Sequence, residues 1–251
     1  MLKRPVVLVV NMLESHYSKF KHTLYSPVMS IFEADNQPVH FLPIRNASDS
    51  SLAQRIDYLD RELRKHQEPH VVGISIAGLD CRLSMDLLST PVTSLTTVSS
   101  PHKGSSLADF ASTPSCSSDT IQPILRYLGV PLEAFLEISL RNLKSINANI
   151  SSNQEKVFSI SSWKDVGEAH EMFKETISVI DERNPHYKAY NDGVFTEWET
   201  RWGTHLLSFD MDHTEIVGSD LHNNCAFIYR LVLDNIRMLE KAAEGKILIN
   251  G

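Results

Sequence analysis

The chain has 251 residues, 42% of them hydrophobic and 22% charged, which are the proportions of an ordinary globular domain and exclude a disordered, collagenous or coiled-coil protein. Lysine and arginine total 24 against 31 aspartates and glutamates, and a net charge of −7 argues against nucleic acid as a partner. Three cysteines (Cys81, Cys116 and Cys225), none in Cys-x-x-Cys spacing, exclude a disulfide framework and a cysteine zinc site and fit a reducing compartment.

Two basic residues, Lys3 and Arg4, lead into Pro5-Val6-Val7-Leu8-Val9-Val10. That pattern imitates a secretion signal, but the run breaks at Asn11 without a small-residue cleavage site and reads as a buried strand. No stretch reaches the roughly 18 apolar residues of a membrane span, so a soluble cytoplasmic protein is expected. A second strand is predicted over Val39 to Ile44. From Ser51 to His66, Leu52, Ile56, Leu59 and Leu63 share one helical face, with Ser51 as N-cap. Next come a strand at His70 to Ser75, a helix through Leu88, and a strand at Val92 to Ser99. Later, Val157 to Ser162 reads as a strand and Asp165 to Asp181 as a helix, and a C-terminal helix aligns Ile228, Leu231, Val232, Ile236 and Leu239. Strand–helix alternation predicts an α/β fold, a mostly parallel sheet with helices on both faces.

The stretch from Ser99 to Glu155 departs from this rhythm. Residues 111–120 are small and polar and read as an exposed loop. Ile124, Leu125, Leu128, Val130, Leu132, Phe135, Leu136 and Leu140 then form a dense apolar patch, which serves equally as core or as a cap over a site. The expected organisation is one domain over 1–251, with 111–155 as a cap or lid insertion.

The strongest local signal is Gly73-Ile74-Ser75-Ile76-Ala77-Gly78, where an apolar strand turns directly into a helix. A nucleophile elbow needs this layout: small flanking residues permit a tight turn that lifts the serine hydroxyl above the sheet. The helix N-terminus behind it offers N–H groups to developing negative charge.

His70 to Arg82 resembles the elbow of bacterial and fungal triacylglycerol lipases, in which His-Ser-Met-Gly-Gly-Leu-Asp-x-Arg is typical. Leu95-Thr96-Thr97-Val98-Ser99-Ser100-Pro101-His102-Lys103-Gly104-Ser105 is similar to that family's Leu-Thr-Thr-x-x-Thr-Pro-His-Arg-Gly-Ser. Tyr190-Asn191-Asp192-Gly193-Val194-Phe195, followed by Trp202-Gly203, resembles its acid-bearing strand end, and Asp212-His213 its histidine loop. The resemblance implies an α/β-hydrolase fold and an ester hydrolase acting on lipids, needing no cofactor, with a lipid or small-molecule ester as substrate and peripheral contact with a lipid interface. Resembled fungal lipases include mitochondrial members, so the mitochondrion is the alternative compartment.

The residues themselves meet the chemistry. Serine needs a base to take its proton, and the base needs an acid to fix its tautomer. Ser75, Asp192 and His213 follow the chain order of this fold. His205 and His222 are rival bases, and Asp210 and Asp212 rival acids, although neighbours on one loop rarely aim side chains at each other. His102 comes too early to be the base, and the resemblance implies that its loop packs close to the nucleophile and supports it. Asp80 and Arg82 are expected to pair with each other.

The oxyanion hole is assigned to the backbone N–H groups of Ile76 and Met12. Where the family carries His-Gly-x after the first strand, this chain has Val10-Asn11-Met12, so Met12 serves if Asn11 takes a left-handed conformation. Some bacterial members hold calcium. Glu215 is a conceivable ligand, but no matching second carboxylate lies upstream, and no metal is expected. The altered tripeptide motivates the alternative of a weak or inactive lipase-like lipid-binding protein. A thioesterase or short-chain esterase is a third reading.

Overall fold

Val6 to Val10 is uniformly apolar because both of its faces are covered, as expected for a central strand of a parallel sheet. The computed structural model describes residues 2–13, 25–46, 51–151, 153–183, 190–218 and 225–245. His222 lies outside the described residues.

The strands are β1 (Val6–Leu13), β2 (Val39–Asn46), β3 (His70–Ile74), β4 (Ser94–Val98), β5 (Val157–Trp163) and β6 (Thr204–Asp210). They form a six-stranded sheet in the order β2-β1-β3-β4-β5-β6, with every neighbouring pair parallel. Pro43, which cannot donate to a ladder, sits in β2 at the sheet edge, where a missing N–H is tolerated.

The helices are α1 (Ser26–Ala34), α2 (Leu52–Leu63), α3 (Ile76–Leu88), α4 (Ser106–Ala111), α5 (Ser118–Leu128), α6 (Leu132–Leu136), α7 (Leu140–Ala148), α8 (Glu171–Arg183), α9 (Glu197–Thr200), α10 (His213–Val217) and α11 (Ala226–Ala243). One face of the sheet (Val7, Val9, Val71, Leu95, Val157) packs on Leu59 and Leu63 of α2 and Ala77, Cys81 and Met85 of α3. The other face (Val6, Leu8, Val10, Val72, Ile74, Val98, Ile160) packs on Val28 and Phe32 of α1 and Ile228, Val232 and Ile236 of α11. Ser51 caps α2 as expected, within a reciprocal capping box with Gln54.

Several boundaries differ from the sequence reading. β1 runs on through Leu13 instead of ending before Asn11. Of the predicted loop 111–120, only 112–117 lies outside helices, because the Ser117 hydroxyl accepts from Thr120 N and starts α5. The helix predicted from Asp165 begins at Glu171, after a turn that contains Gly167. Val92 and Thr93 precede β4.

In the segment 124–143, Ile124, Leu125, Leu128, Val130, Phe135 and Leu143 are buried. They share one cluster with Ile76, Leu79 and Leu83 of α3 and with Phe173 and Ile177 of α8. This third layer lies over the helices and meets the sheet at the end of β1, where Gly129 packs on Met12.

Candidate active site

β3 runs straight into α3 through Ser75, whose backbone sits at φ 55° and ψ −136°. A side-chain-bearing residue rarely takes positive φ, and an enforced outlier of this kind costs on the order of 1–3 kcal/mol. Close glycine packing holds the turn. A Cβ on Gly73 would lie 2.5 Å from Gly78 Cα, and one on Gly78 would lie 2.1 Å from Ser100 Oγ. The tight position after the serine is therefore Gly78, and Ala77 is free to carry its methyl into the core against α2 and the sheet. Replacing Gly73 with alanine forces backbone against backbone. It is expected to destabilise the fold by about 2 kcal/mol or more, read as a lowered denaturation midpoint.

Ser75 Oγ lies 3.0 Å from His213 Nε2, and His213 Nδ1 lies 2.8 Å from Asp192 Oδ2. Histidine and aspartate are fully buried, and Ser75 is 9% exposed. Asp192 stands on the Asn191-Asp192-Gly193 turn. There Gly193, at φ 92°, lets Phe173 pack so closely that a Cβ would fall 2.4 Å from it. His213 opens α10, and its own N–H donates to the Asp192 carbonyl at 2.9 Å, so backbone as well as side chain ties the two loops together. Burial alone would raise the Asp192 carboxyl. The facing His213, the Phe195 N–H and the Ser99 hydroxyl overcome this and hold it below the usual aspartate range. Tyr127, Phe173 and Phe195 meet the His213 ring edge-on at 6.1, 6.4 and 5.4 Å between centroids.

The rivals are engaged elsewhere. His205 contacts Ser159 and Ser208 on the sheet edge. Asp212 caps α10, accepting from Thr214 N and Glu215 N, and also accepts from His170 N. Asp210 faces Lys164 at 3.3 Å. Glu215 accepts from Asp212 N and faces the same Lys164 ammonium at 3.7 Å. Among the described residues, no group of three or more metal-ligating side chains could hold a metal ion.

Asn11 and Met12 depart from expectation. Asn11 is not left-handed: it continues β1, paired with Ile44, while Met12 pairs with Arg45. β1 leaves β3 after Val9, which opposes Gly73, so a crevice opens between Asn11 and Ser75. The cavity there is about 10 Å³, bounded by Asn11, Tyr25, Tyr127, Leu128 and Val217 around Ser75 and His213. Met12 is not in that lining. Its backbone lies under Gly129, where a Cβ would stand 3.0 Å from Met12 N. The Ile76 N–H is the first of α3 and has no carbonyl of its own helix to meet.

The expected Asp80–Arg82 pair does not form, since residues two apart on a helix point to different sides. Asp80 instead receives Arg55 through Nε at 2.9 Å and Nη2 at 3.2 Å, fully buried, and also interacts with the Asn11 side chain. Arg82 reaches Asp86, Asn147 and the His102 carbonyl, and lies over the Trp202 ring. His102 is fully buried, bonded to Thr97 Oγ1 at 2.9 Å and backed by Trp202, and burial pushes its imidazole well below the usual range. None of these partners belongs to the Ser75–His213–Asp192 line. Sequence reasoning missed Ser99 and Ser162, which both donate to Asp192. It also missed Glu199, whose buried carboxyl is pushed up to about 7. Glu199 accepts from Ser106 N and Thr196 N, joining the loop after β4 to the loop that carries Asp192.

No family model matches the chain. In sequence it is similar to triacylglycerol lipase 2 of Saccharomyces cerevisiae, 24% identical over 176 residues that take in 68% of this chain and 52% of that protein. The chain thus spans about half the length of this relative. Among solved structures it is similar to the mature form of a Bacillus licheniformis lipase, with TM-score 0.69 and 18% identity over 93% of this chain and 92% of that one. It is also similar to a metagenomic carboxyl esterase, with TM-score 0.70 and 13% identity over 96% and 77%. The Legionella pneumophila phospholipase PlaB follows, with TM-score 0.58 and 13% identity over 96% and 63%. The chain has the α/β-hydrolase fold of lipases and esterases, and the resemblance read from its motifs is borne out at that level.

Proposed function

We propose that the chain is a serine ester hydrolase, of lipase or carboxylesterase type, that cleaves acyl esters of lipid-like substrates through an acyl-enzyme. The observation that carries this reading is the unbroken hydrogen-bonded line Asp192–His213–Ser75, ending on a strained serine at a strand–helix turn. Ser75 Oγ attacks the ester carbonyl while His213 Nε2 takes its proton. His213 then gives that proton to the departing alkoxide as the acyl–oxygen bond breaks. Water, deprotonated by the same nitrogen, attacks the acyl-enzyme and restores Ser75. The Ile76 N–H, and Met12 if the end of β1 yields to substrate, support the oxyanion. The weaker lipid-binding alternative draws on the extended Asn11 and the Gly129 cover over Met12.

A cavity of about 10 Å³ takes no acyl group, so the cover over Ser75 has to move for substrate to bind. In this reading the segment 111–155 is that cover, with Tyr127 and Leu128 at its inner edge. The test is hydrolysis of p-nitrophenyl esters of increasing chain length, with and without detergent micelles. Turnover that rises with chain length once micelles are present is expected, and the absence of all ester turnover would contradict the assignment. Leu132 is half-buried and Phe135 fully buried, which separates cover from core. Leu132→Ser is expected to lower long-chain turnover with little change in melting. Phe135→Ser is expected to cost about 3–5 kcal/mol of stability.

A further inference from the structure

The Asp192 carboxylate has more partners than the histidine. Its Oδ1 accepts from Val194 N at 3.0 Å and Phe195 N at 2.8 Å. Its Oδ2 accepts from His213 Nδ1, from Ser162 Oγ at 3.1 Å, and from Ser99 Oγ in a short contact. Ser99 immediately follows β4 and Ser162 lies near the end of β5, so two neighbouring strands deliver hydroxyls to one oxygen.

Ser99 is also unusual in its backbone, at φ 46°, with its N–H donated to Ile160 O at 2.9 Å. A residue with a Cβ rarely takes left-handed geometry, and here it brings the hydroxyl to the acid–base junction. Ser99 Oγ lies 3.3 Å from His213 Nδ1 as well. An ionised carboxylate has no proton to give, so the Ser99 hydroxyl donates to Asp192 and its oxygen faces Nδ1 only as an acceptor. Both neighbours of Nδ1 are then acceptors. Nδ1 therefore carries the proton, and Nε2 presents its lone pair to Ser75.

We propose that Ser99, assisted by Ser162, is a positioning residue that sets the tautomer and basicity of His213 by sharing the Asp192 carboxylate. This inference rests on the Ser75–His213–Asp192 reading above. A hydroxyl donating into Oδ2 draws negative charge away from the bond to His213, so the imidazolium is stabilised less than by a bare carboxylate. Removing the hydroxyl returns that charge to the bond with His213 Nδ1.

Of the titratable groups on the packed elements, Tyr127 and Tyr25 border the same cavity as His213, and the carboxylates have partners of their own. Tyr127 lies edge-on over the His213 ring. Asp212 accepts from His170 N, Glu215 faces Lys164, and Asp181 accepts from Asn191.

The experiment compares wild type with Ser99→Ala, Ser99→Gly and Ser162→Ala, using the pH dependence of kcat/KM on a p-nitrophenyl ester and the NMR titration of His213. Glycine takes φ 46° without strain, so the Ser99→Gly protein stays folded. Both Ser99 variants are expected to move the acidic limb and the His213 signals upward together. Their kcat should fall about tenfold with KM within about twofold, because the carboxylate loses the donor that holds Oδ2 in line with His213 Nδ1 and the proton transfer loses its alignment. Ser162→Ala should shift both readouts in the same direction by less. An unmoved or lowered His213 titration in folded Ser99→Gly overturns the proposal, whatever happens to kcat. If wild type turns over no ester, the catalytic reading fails on its own, and the titration still decides the role of Ser99.

Discussion

Replacing Ser75 with alanine is expected to lower ester turnover by about six orders of magnitude while leaving the fold intact. Its hydroxyl makes the 3.0 Å contact to His213 Nε2, and among the described residues no other oxygen bonds that nitrogen. Without the hydroxyl, attack falls to solvent water. The structural cost is small. The Cβ remains, so the strained φ of 55° is unchanged, and one hydrogen bond of about 1 kcal/mol is lost. Turnover by a p-nitrophenyl ester assay and melting by circular dichroism separate these effects. An alanine protein with wild-type turnover would remove Ser75 from the chemistry.

Asp192→Asn is expected to cut turnover by about four orders of magnitude. The amide offers one acceptor where the carboxylate offers two. An amide NH₂ facing Nδ1 would favour the tautomer that places the proton on Nε2, toward Ser75. Because the Val194 and Phe195 N–H groups and the two serine hydroxyls all point at this carboxylate, stability should fall as well, by about 1–3 kcal/mol. The comparison variants behave differently. Asp212→Asn keeps one oxygen for the helix cap but loses the acceptor for His170 N, and is expected to cost about 1 kcal/mol of stability with less than a tenfold loss in turnover. Asp210→Asn loses only an exposed pairing with Lys164 and should change stability by less than about 0.5 kcal/mol. A fully active Asp192→Asn protein would overturn the assignment of the acid.

Much of this arrangement was legible in the residues. The apolar run at Val6 to Val10 identified a strand buried on both faces, and Gly73 with Gly78 marked a turn too tight for side chains. The spacing of Ser75, Asp192 and His213 matched one fold's chain order, and the structure brings those three side chains together. What was hidden depended on side-chain direction and register. Asp80 and Arg82 looked like partners because they are close in sequence, but the helix turns Asp80 toward Arg55 and Arg82 toward Trp202. Met12 is assigned to the oxyanion hole on condition that Asn11 bends left-handed as a glycine would, yet pairing with β2 keeps Asn11 extended. Ser99 and Ser162 carried no signal, since serines are common and only the juxtaposition of β4 and β5 brings their hydroxyls to one carboxylate. The short, polar-capped start of α5 was read as loop because Ser117 and Ser118 resemble turn residues until the cap itself is seen.

Fluorophosphonate labelling of the intact protein, followed by mass spectrometry of its peptides, tests the central claim most directly, because the probe reports an activated serine whatever the natural substrate. One phosphonyl group on Ser75 is the result this account predicts, absent in Ser75→Ala and strongly slowed in Asp192→Asn. An unlabelled protein, or a label carried by any other serine, would contradict it.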